Sequence, residues 1–172
     1  MSEEIPLWVT KVLSYGYLSR PELSRVDSWP QEIDRHDVPL DESSTKDVWK
    51  LLCELSGRDV ELKPEAIAAT VEKERVFVAE DWRGHVVGMV TLCIHESMHG
   101  RYATIHNVIV TASHQRQGIA RTLMTIAHRV AKAENVVRMQ LTSRAHRADA
   151  HQFYVNLGYE RVDTHVYRMP LR

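Results

Sequence analysis

His114-Gln115-Arg116-Gln117-Gly118-Ile119-Ala120-Arg121 decides how this chain is read. A β-branched run, Tyr102 to Val110, precedes it, and Ile119, Leu123, Ile126, Ala127 and Val130 follow at helical spacing. The stretch is therefore a turn from a buried strand into an amphipathic helix. The first N–H groups of a helix lack partners within it, and that end carries partial positive charge. Gly118 allows close approach to the backbone, Ala120 keeps the next turn small, and Arg116 and Arg121 add charge. Such a turn suits a phosphate or pyrophosphate. On these residues alone, an ordinary strand-to-helix loop with solvated arginines reads equally well.

The spacing carries further. Gln115-x-x-Gly118-x-Ala120 resembles the Q/R-x-x-G-x-G/A signature of the GNAT superfamily of acyl-CoA-dependent N-acyltransferases. Ile105-His106-Asn107-Val108-Ile109-Val110 is similar to that family's fourth strand. Ala150-His151-Gln152-Phe153-Tyr154-Val155-Asn156-Leu157-Gly158-Tyr159 is similar to its A-x-x-F-Y-x-x-x-G-F/Y segment. The resemblance is good over residues 76–170, extends back to residue 36, and is absent before it.

The resemblance implies an α/β (α+β) fold: a mixed, mostly antiparallel sheet with a splayed parallel pair, flanked by helices. It implies acetyl-CoA as co-substrate, with its pantetheine arm between the splayed strands and paired with the backbone of Val108, Ile109 and Val110. Gln115, Arg116, Gln117, Gly118, Ile119, Ala120 and Arg121 would hold the pyrophosphate, and the Val108 N–H would donate to the acyl carbonyl. Tyr154 matches the tyrosine that protonates or stabilises the leaving thiolate. A phenol, with an ordinary pKa near ~10, keeps its proton at neutral pH and suits that role; a packed aromatic is the other reading.

Two positions depart from the family pattern. Many relatives carry a Glu on the fourth strand, whereas this chain has Thr104 and His106 there and no acid between residues 101 and 114. An imidazole titrates near neutrality, so His106 is the candidate base, although a strand histidine beside Asn107 serves equally as a structural hydrogen-bonder. Glu80, Glu96 or water are the substitutes. Arg147 stands where many relatives place an Asn against the cofactor; with Ser143 and Arg144 it suggests hydrogen-bonding or phosphate-facing groups at the cofactor's edge.

His95-Glu96-Ser97-Met98-His99 spells H-E-x-x-H, a zinc-protease pattern that works only on a helix. The strand-like run Val86 to Ile94 leads into it and Gly100 follows. Extended, positions 95 and 99 would lie about 13 Å apart at ~3.3 Å per residue, too far for one ion. No metal site is expected.

The chain has 172 residues, 44% of them hydrophobic, enough for one sizeable core. A formal net charge of -1 supplies no overall basic field, so neither nucleic acid nor a membrane surface is an expected partner. Cys53 and Cys93 have neither metal-ligand spacing nor a disulfide-dense pattern. The N-terminus lacks a basic segment followed by an apolar one, and no run approaches ~18 apolar residues. A cytoplasmic location is expected.

Residues 1–35, broken by Pro6, Pro21 and Pro30 yet carrying Trp8 and Trp29, read as an extension that caps the core or forms a homodimer arm. Residues 36–172 read as the acyltransferase domain. Ser44-Thr45-Lys46-Asp47 offers a capping box, with Val48, Leu51, Leu52 and Leu55 on one helical face up to Gly57. Pro64 opens a second helix to Glu74. Val76–Glu80 and Val86–Ile94 form a hairpin, with Gly88 at a bulge or a close contact. Strands follow at Ala103–Val110 and Val136–Thr142, the latter after a crossover helix that makes the two parallel. A short helix over Ala148–Leu157 ends at Gly158, and Glu160–Leu171 supplies closing strand material.

The sequence thus reads as an acetyl-CoA-dependent N-acetyltransferase acting on a primary amine of a small molecule or peptide, by direct attack. The second reading is a catalytically degenerate acyl-CoA-binding sensor or scaffold.

Overall fold

In a computed structural model of the chain, residues 9–13, 42–57 and 64–171 are described. The elements in order are β1 (Val9–Leu13), α1 (Glu42–Ser56), α2 (Pro64–Lys73), β2 (Arg75–Glu80), β3 (Val86–His95), β4 (Tyr102–Val110), a 3-10 turn (Ala112–His114), α3 (Ile119–Ala133), β5 (Arg138–Leu141) and α4 (Ala148–Val155). The sheet order is β1-β2-β3-β4-β5. Neighbours are antiparallel except β4 and β5, which the α3 crossover makes parallel. The mixed sheet flanked by helices is the fold class expected from sequence.

β1 comes from within the N-terminal extension and pairs with β2 from Val9↔Glu80 to Leu13↔Val76. The proline- and tryptophan-rich remainder of residues 1–35, read as a cap or dimer arm, lies outside the described residues.

Two layers of helix hold the sheet. Val48 and Leu51 of α1 and Ile67 and Val71 of α2 form one cluster with Val76, Val78, Val86 and Met89. On the opposite face, α3 contributes the fully buried Leu123, Met124 and Ala127 and packs against β2, β3 and β4. The strands are consequently buried on both sides, and β3 is a continuous apolar run over most of its length.

The capping box is corrected. α1 begins at Glu42, two residues before Ser44, so Asp47 lies inside the helix. Its carboxylate accepts from His85 Nδ1 at 3.1 Å and the Val86 N–H at 3.3 Å, and pairs with Lys50. A tertiary contact has claimed the residue that local spacing assigns to a helix end.

Gly88 meets both descriptions given for it. The β2–β3 register passes from Ala79↔Gly88 to Glu80↔Val86, leaving Val87 extra. A Cβ on Gly88 would stand 3.1 Å from Val110 Cγ2 and 3.2 Å from Ile119 Cγ2.

The chain divides after Leu141 into two compact units. In the second, α4 ends in a left-handed Gly158, φ 90°. The Gly158 N–H bonds the Val155 carbonyl and the Tyr159 N–H bonds the Tyr154 carbonyl, the paired closure of a Schellman end, with the Tyr154 and Tyr159 rings meeting edge to face. The strand expected over Glu160–Leu171 does not form. That segment has no regular structure and is exposed throughout, with Val162, Val166, Tyr167, Met169 and Leu171 outside any core.

Candidate active site

β4 does two things a plain strand does not. Its register against β3 passes from Met89↔Ile109 to Thr91↔His106, three steps against two, so β4 carries an extra residue at Asn107–Val108. Asn107 takes a left-handed φ of 52°, which Asn tolerates better than its β-branched neighbours, and its Nδ2 bonds Thr91 Oγ1 at 3.3 Å. On its other side, β4 pairs with β5 only from Tyr102↔Arg138 to Ile105↔Leu141. From His106 to Val110 that edge has no ladder partner among the described residues. Val108 and Ile109 are half-buried there, and Val110 is buried.

Beyond β4 the chain tightens into the turn. Glu54 Oε1 of α1 accepts the Ala112 N–H at 3.1 Å, and Gln115 Nε2 reaches back to the Val110 carbonyl at 3.0 Å. Arg116 and Gly118 both hold left-handed φ, 63° and 83°. The first helical bond of α3 is Thr122 N–H to the Gly118 carbonyl, and no side chain caps this end. The N–H groups of Ile119, Ala120 and Arg121 thus have no helical partner. Nothing lies within 4 Å of the position a Gly118 Cβ would take. Arg116, Gln117 and Arg121 are exposed, Ala120 is half-buried, and Ile119 is buried beneath the turn. An open glycine, unsatisfied donors and flanking arginines fit a phosphorylated group.

The sheet face that α1 and α2 cover becomes polar further along β3 and β4, where alternation places Thr91, Cys93 and His95 beside His106, Thr104 and Tyr102. His106 is exposed. Its Nε2 lies 3.0 Å from Thr104 Oγ1, and His95 Nε2 lies 2.8 Å from the same oxygen. His95 also stacks on Tyr102, ring centroids 4.8 Å apart. In the sequence His95 stands out only as the first histidine of the H-E-x-x-H pattern; its partnership with Thr104 depends on the β3–β4 register, for which the sequence carries no local signal.

The other acids are placed elsewhere. Glu80 ends β2 and is buried, and Glu96 is engaged by Arg101 Nε at 2.6 Å. The H-E-x-x-H stretch is the end of β3 followed by a Ser97–Gly100 turn, so its histidines do not share a helical face. Burial, reinforced by Glu74 and partly offset by Thr104, pushes the Cys93 thiol up to about 12. It stays a thiol at neutral pH and is a poor nucleophile.

In the second unit, Arg147 is the residue at the N-terminal end of α4 and Tyr154 lies in its last turn. Burial raises the Tyr154 pKa, against a smaller pull from the Arg147 charge. Tyr159 is pushed up to about 12 by burial and by Tyr154. Ser143 is half-buried and Arg144 exposed, with the Arg144 carbonyl accepting the Arg147 N–H.

β4 thus offers an open strand edge beyond Ile105, next to an uncapped helix start with an open glycine, an arrangement that suits an extended, phosphorylated ligand. The chain belongs to the acetyltransferase (GNAT) family, whose sequence profile matches residues 42–159. It is 28% identical over 124 residues to the aminoalkylphosphonate N-acetyltransferase of Salmonella typhimurium (strain LT2), covering 68% of this chain and 79% of that one. Among solved structures it resembles an acetyltransferase of Trypanosoma brucei (TM-score 0.64, 21% identity, 77% of this chain and 96% of that one). It also resembles an aminoglycoside acetyltransferase from an uncultured soil metagenomic sample (TM-score 0.65, 19% identity, 73% and 88%). No helix among the described residues is long and apolar enough to cross a membrane.

Proposed function

We propose that the protein is an N-acetyltransferase that moves the acetyl group of acetyl-CoA directly to a primary amine of a small molecule or peptide. The observation that carries this reading is the open edge of β4 beyond Ile105, where its ladder with β5 ends, beside the uncapped start of α3. An extended pantetheine arm can pair with the free edge at Val108, Ile109 and Val110 in strand fashion. The pyrophosphate then meets the Ile119–Arg121 N–H groups across Gly118, with Gln115, Arg116, Gln117 and Arg121 around it. Ser143 and Arg147 are assigned to the cofactor's edge.

In the transfer, the amine nitrogen forms a bond to the acetyl carbonyl carbon and the carbon–sulfur bond breaks. His106 takes the proton the amine must lose, the Val108 N–H steadies the carbonyl oxygen, and Tyr154 donates its proton to the departing sulfur. Neither the inert Cys93 nor a metal ion has a part in this scheme. That Cys53 and Cys93 form no disulfide fits a cytoplasmic protein.

Relatives named for aminoalkylphosphonates and aminoglycosides make those two classes the first acceptors to try, with polyamines, amino acids and peptide N-termini beside them. Thiol release from acetyl-CoA in the presence of this panel tests the reading. Tight acetyl-CoA binding with no release from any amine would favour the sensor or scaffold, a reading that the lack of a β4 carboxylate supports.

A further inference from the structure

Thr104 stands between two histidines, its Oγ1 2.8 Å from Nε2 of His95 and 3.0 Å from Nε2 of His106. A hydroxyl has one proton to donate, so it can donate to only one of these rings. The oxygen can also accept from both rings while its proton goes to a third partner, and the Cys93 thiol across the ladder is hydrogen-bonded to Thr104 as well. A relay is the arrangement in which the hydroxyl accepts from His106 and donates to His95, the two neutral rings then holding opposite tautomers. It runs from the exposed His106 to the half-buried His95.

We infer that His95, Thr104 and His106 form a two-histidine proton wire, in which His106 accepts the acceptor amine's proton and Thr104 passes the charge to His95. The inference rests on the N-acetylation reading and extends it by two residues. The proton arrives on Nδ1 of His106. The Nε2 proton of His106 moves to Thr104 Oγ1 as the hydroxyl's own proton moves to Nε2 of His95. Thr104 ends unchanged, His106 ends neutral, and His95 ends as the imidazolium. Water removes the His95 Nδ1 proton, and the same steps reversed reset the chain, water taking one proton at His106 and returning one at His95.

The surroundings suit this direction. Tyr102 presents its ring to His95 at 4.8 Å and an interplanar angle of 27°, a face that favours a cation. Arg138 on β5 lies 5.9 Å from the same ring and limits that gain. Cys93, opposite Thr104 on β3, and Glu74 beyond it are the other titratable groups at the wire, and the thiol stays protonated. Moving the charge to His95 also clears His106 of a cation before the next ammonium arrives.

The test uses Thr104→Val, which removes the hydroxyl but keeps the shape, and Thr104→Ser, which keeps the hydroxyl. Long-range proton–nitrogen NMR of the two imidazoles reads the wire without any acceptor. The wild type and Thr104→Ser should show one ring protonated at Nε2 and the other at Nδ1, and Thr104→Val should lose that pairing. With a working amine, Thr104→Val should lower kcat by roughly 10- to 100-fold at unchanged KM for acetyl-CoA, and Thr104→Ser should recover most of it. Wild-type rings sharing one tautomer, or wild-type kcat in folded Thr104→Val, would overturn the wire. Paired tautomers in a wild-type protein that acetylates no amine would uphold the wire and sink the N-acetylation reading instead.

Discussion

Gln115 donates from Nε2 to the carbonyl of Val110 at 3.0 Å, so the side chain that opens the turn into α3 also fastens the end of β4. The glutamine of the Gln115-x-x-Gly118-x-Ala120 pattern thereby shapes the turn. The two left-handed residues that follow, Arg116 and Gly118, complete a turn that enters α3 with no side-chain cap on its first N–H groups. A fixed turn presents its N–H groups without having to order them when an anion arrives, which is the condition for tight binding by backbone alone.

Gly118 separates folding from binding at that turn. Its φ of 83° penalises any side chain, but nothing within 4 Å would clash with a Cβ. Gly118→Ala should therefore cost about 1 kcal/mol of stability through backbone strain. Gly118→Glu should abolish acetyl-CoA binding, because a carboxylate would occupy the space offered to the pyrophosphate. Calorimetric titration of folded Gly118→Glu with unchanged affinity would move the cofactor's phosphates elsewhere.

Gly88 is crowded where Gly118 is open. A Cβ there meets Val110 Cγ2, Ile119 Cγ2 and the Ile109 carbonyl, all between 3.1 and 3.3 Å. Gly88→Ala should destabilise by roughly 1 to 3 kcal/mol as β4 and the first turn of α3 are forced apart. Urea denaturation measures this, and a midpoint equal to the wild type's would show that the three neighbours yield freely.

Asp47 should tie stability to pH. Burial works to raise its pKa, but hydrogen bonds from Lys50, His85 and the Val86 N–H together with the Lys50 charge outweigh it and hold the carboxyl below its ordinary value. A depressed carboxyl stabilises the fold above the unfolded-state pKa, near ~4, and loses that contribution as pH falls through the folded value. Asp47→Ala should cost about 1 to 3 kcal/mol near pH 7, with the gap to wild type closing below pH ~4. A gap that stays constant from pH 7 to pH 3 would assign the loss to packing.

What the sequence made legible follows from range. Ile119, Leu123, Ile126, Ala127 and Val130 announce α3 because helical burial repeats within the element itself, and Gly158 announces the end of α4 because left-handed φ is a property of one residue. The β4 bulge had one local sign, an Asn within a β-branched run. Asp47 reads as part of a helix end because the His85 and Val86 partners that claim it lie 38 and 39 residues away. Glu160–Leu171 reads as closing strand material, yet a strand forms only against a neighbour, and the segment stays irregular and exposed. His95 carries no local sign of its place in the site for the same reason, since Thr104 reaches it across the ladder.

Tyr154→Phe removes a proton donor and little else. Burial raises the phenol's pKa more than Arg147 lowers it, so the group remains neutral throughout the neutral range. If it protonates the leaving sulfur, kcat should fall roughly 10- to 1000-fold with acetyl-CoA affinity nearly unchanged, and the wild type should show no basic limb from this phenol below pH ~10. Steady-state thiol release decides it, and wild-type turnover in the Phe variant would pass the role to water.

His106 is the sharpest test of the base. No other histidine and no carboxylate lies on β4, and Glu96 already binds Arg101. A base must be unprotonated to accept, so kcat/KM should rise with pH along an acid limb, and His106→Ala should remove that limb and lower kcat. The acceptor amine loses a proton in the same direction, so acceptors of different basicity must be compared: a limb that moves with the acceptor belongs to the amine, and one that stays belongs to the enzyme. A fixed limb that survives in His106→Ala, with near-normal turnover, would leave His106 as a structural strand residue and hand the proton to solvent.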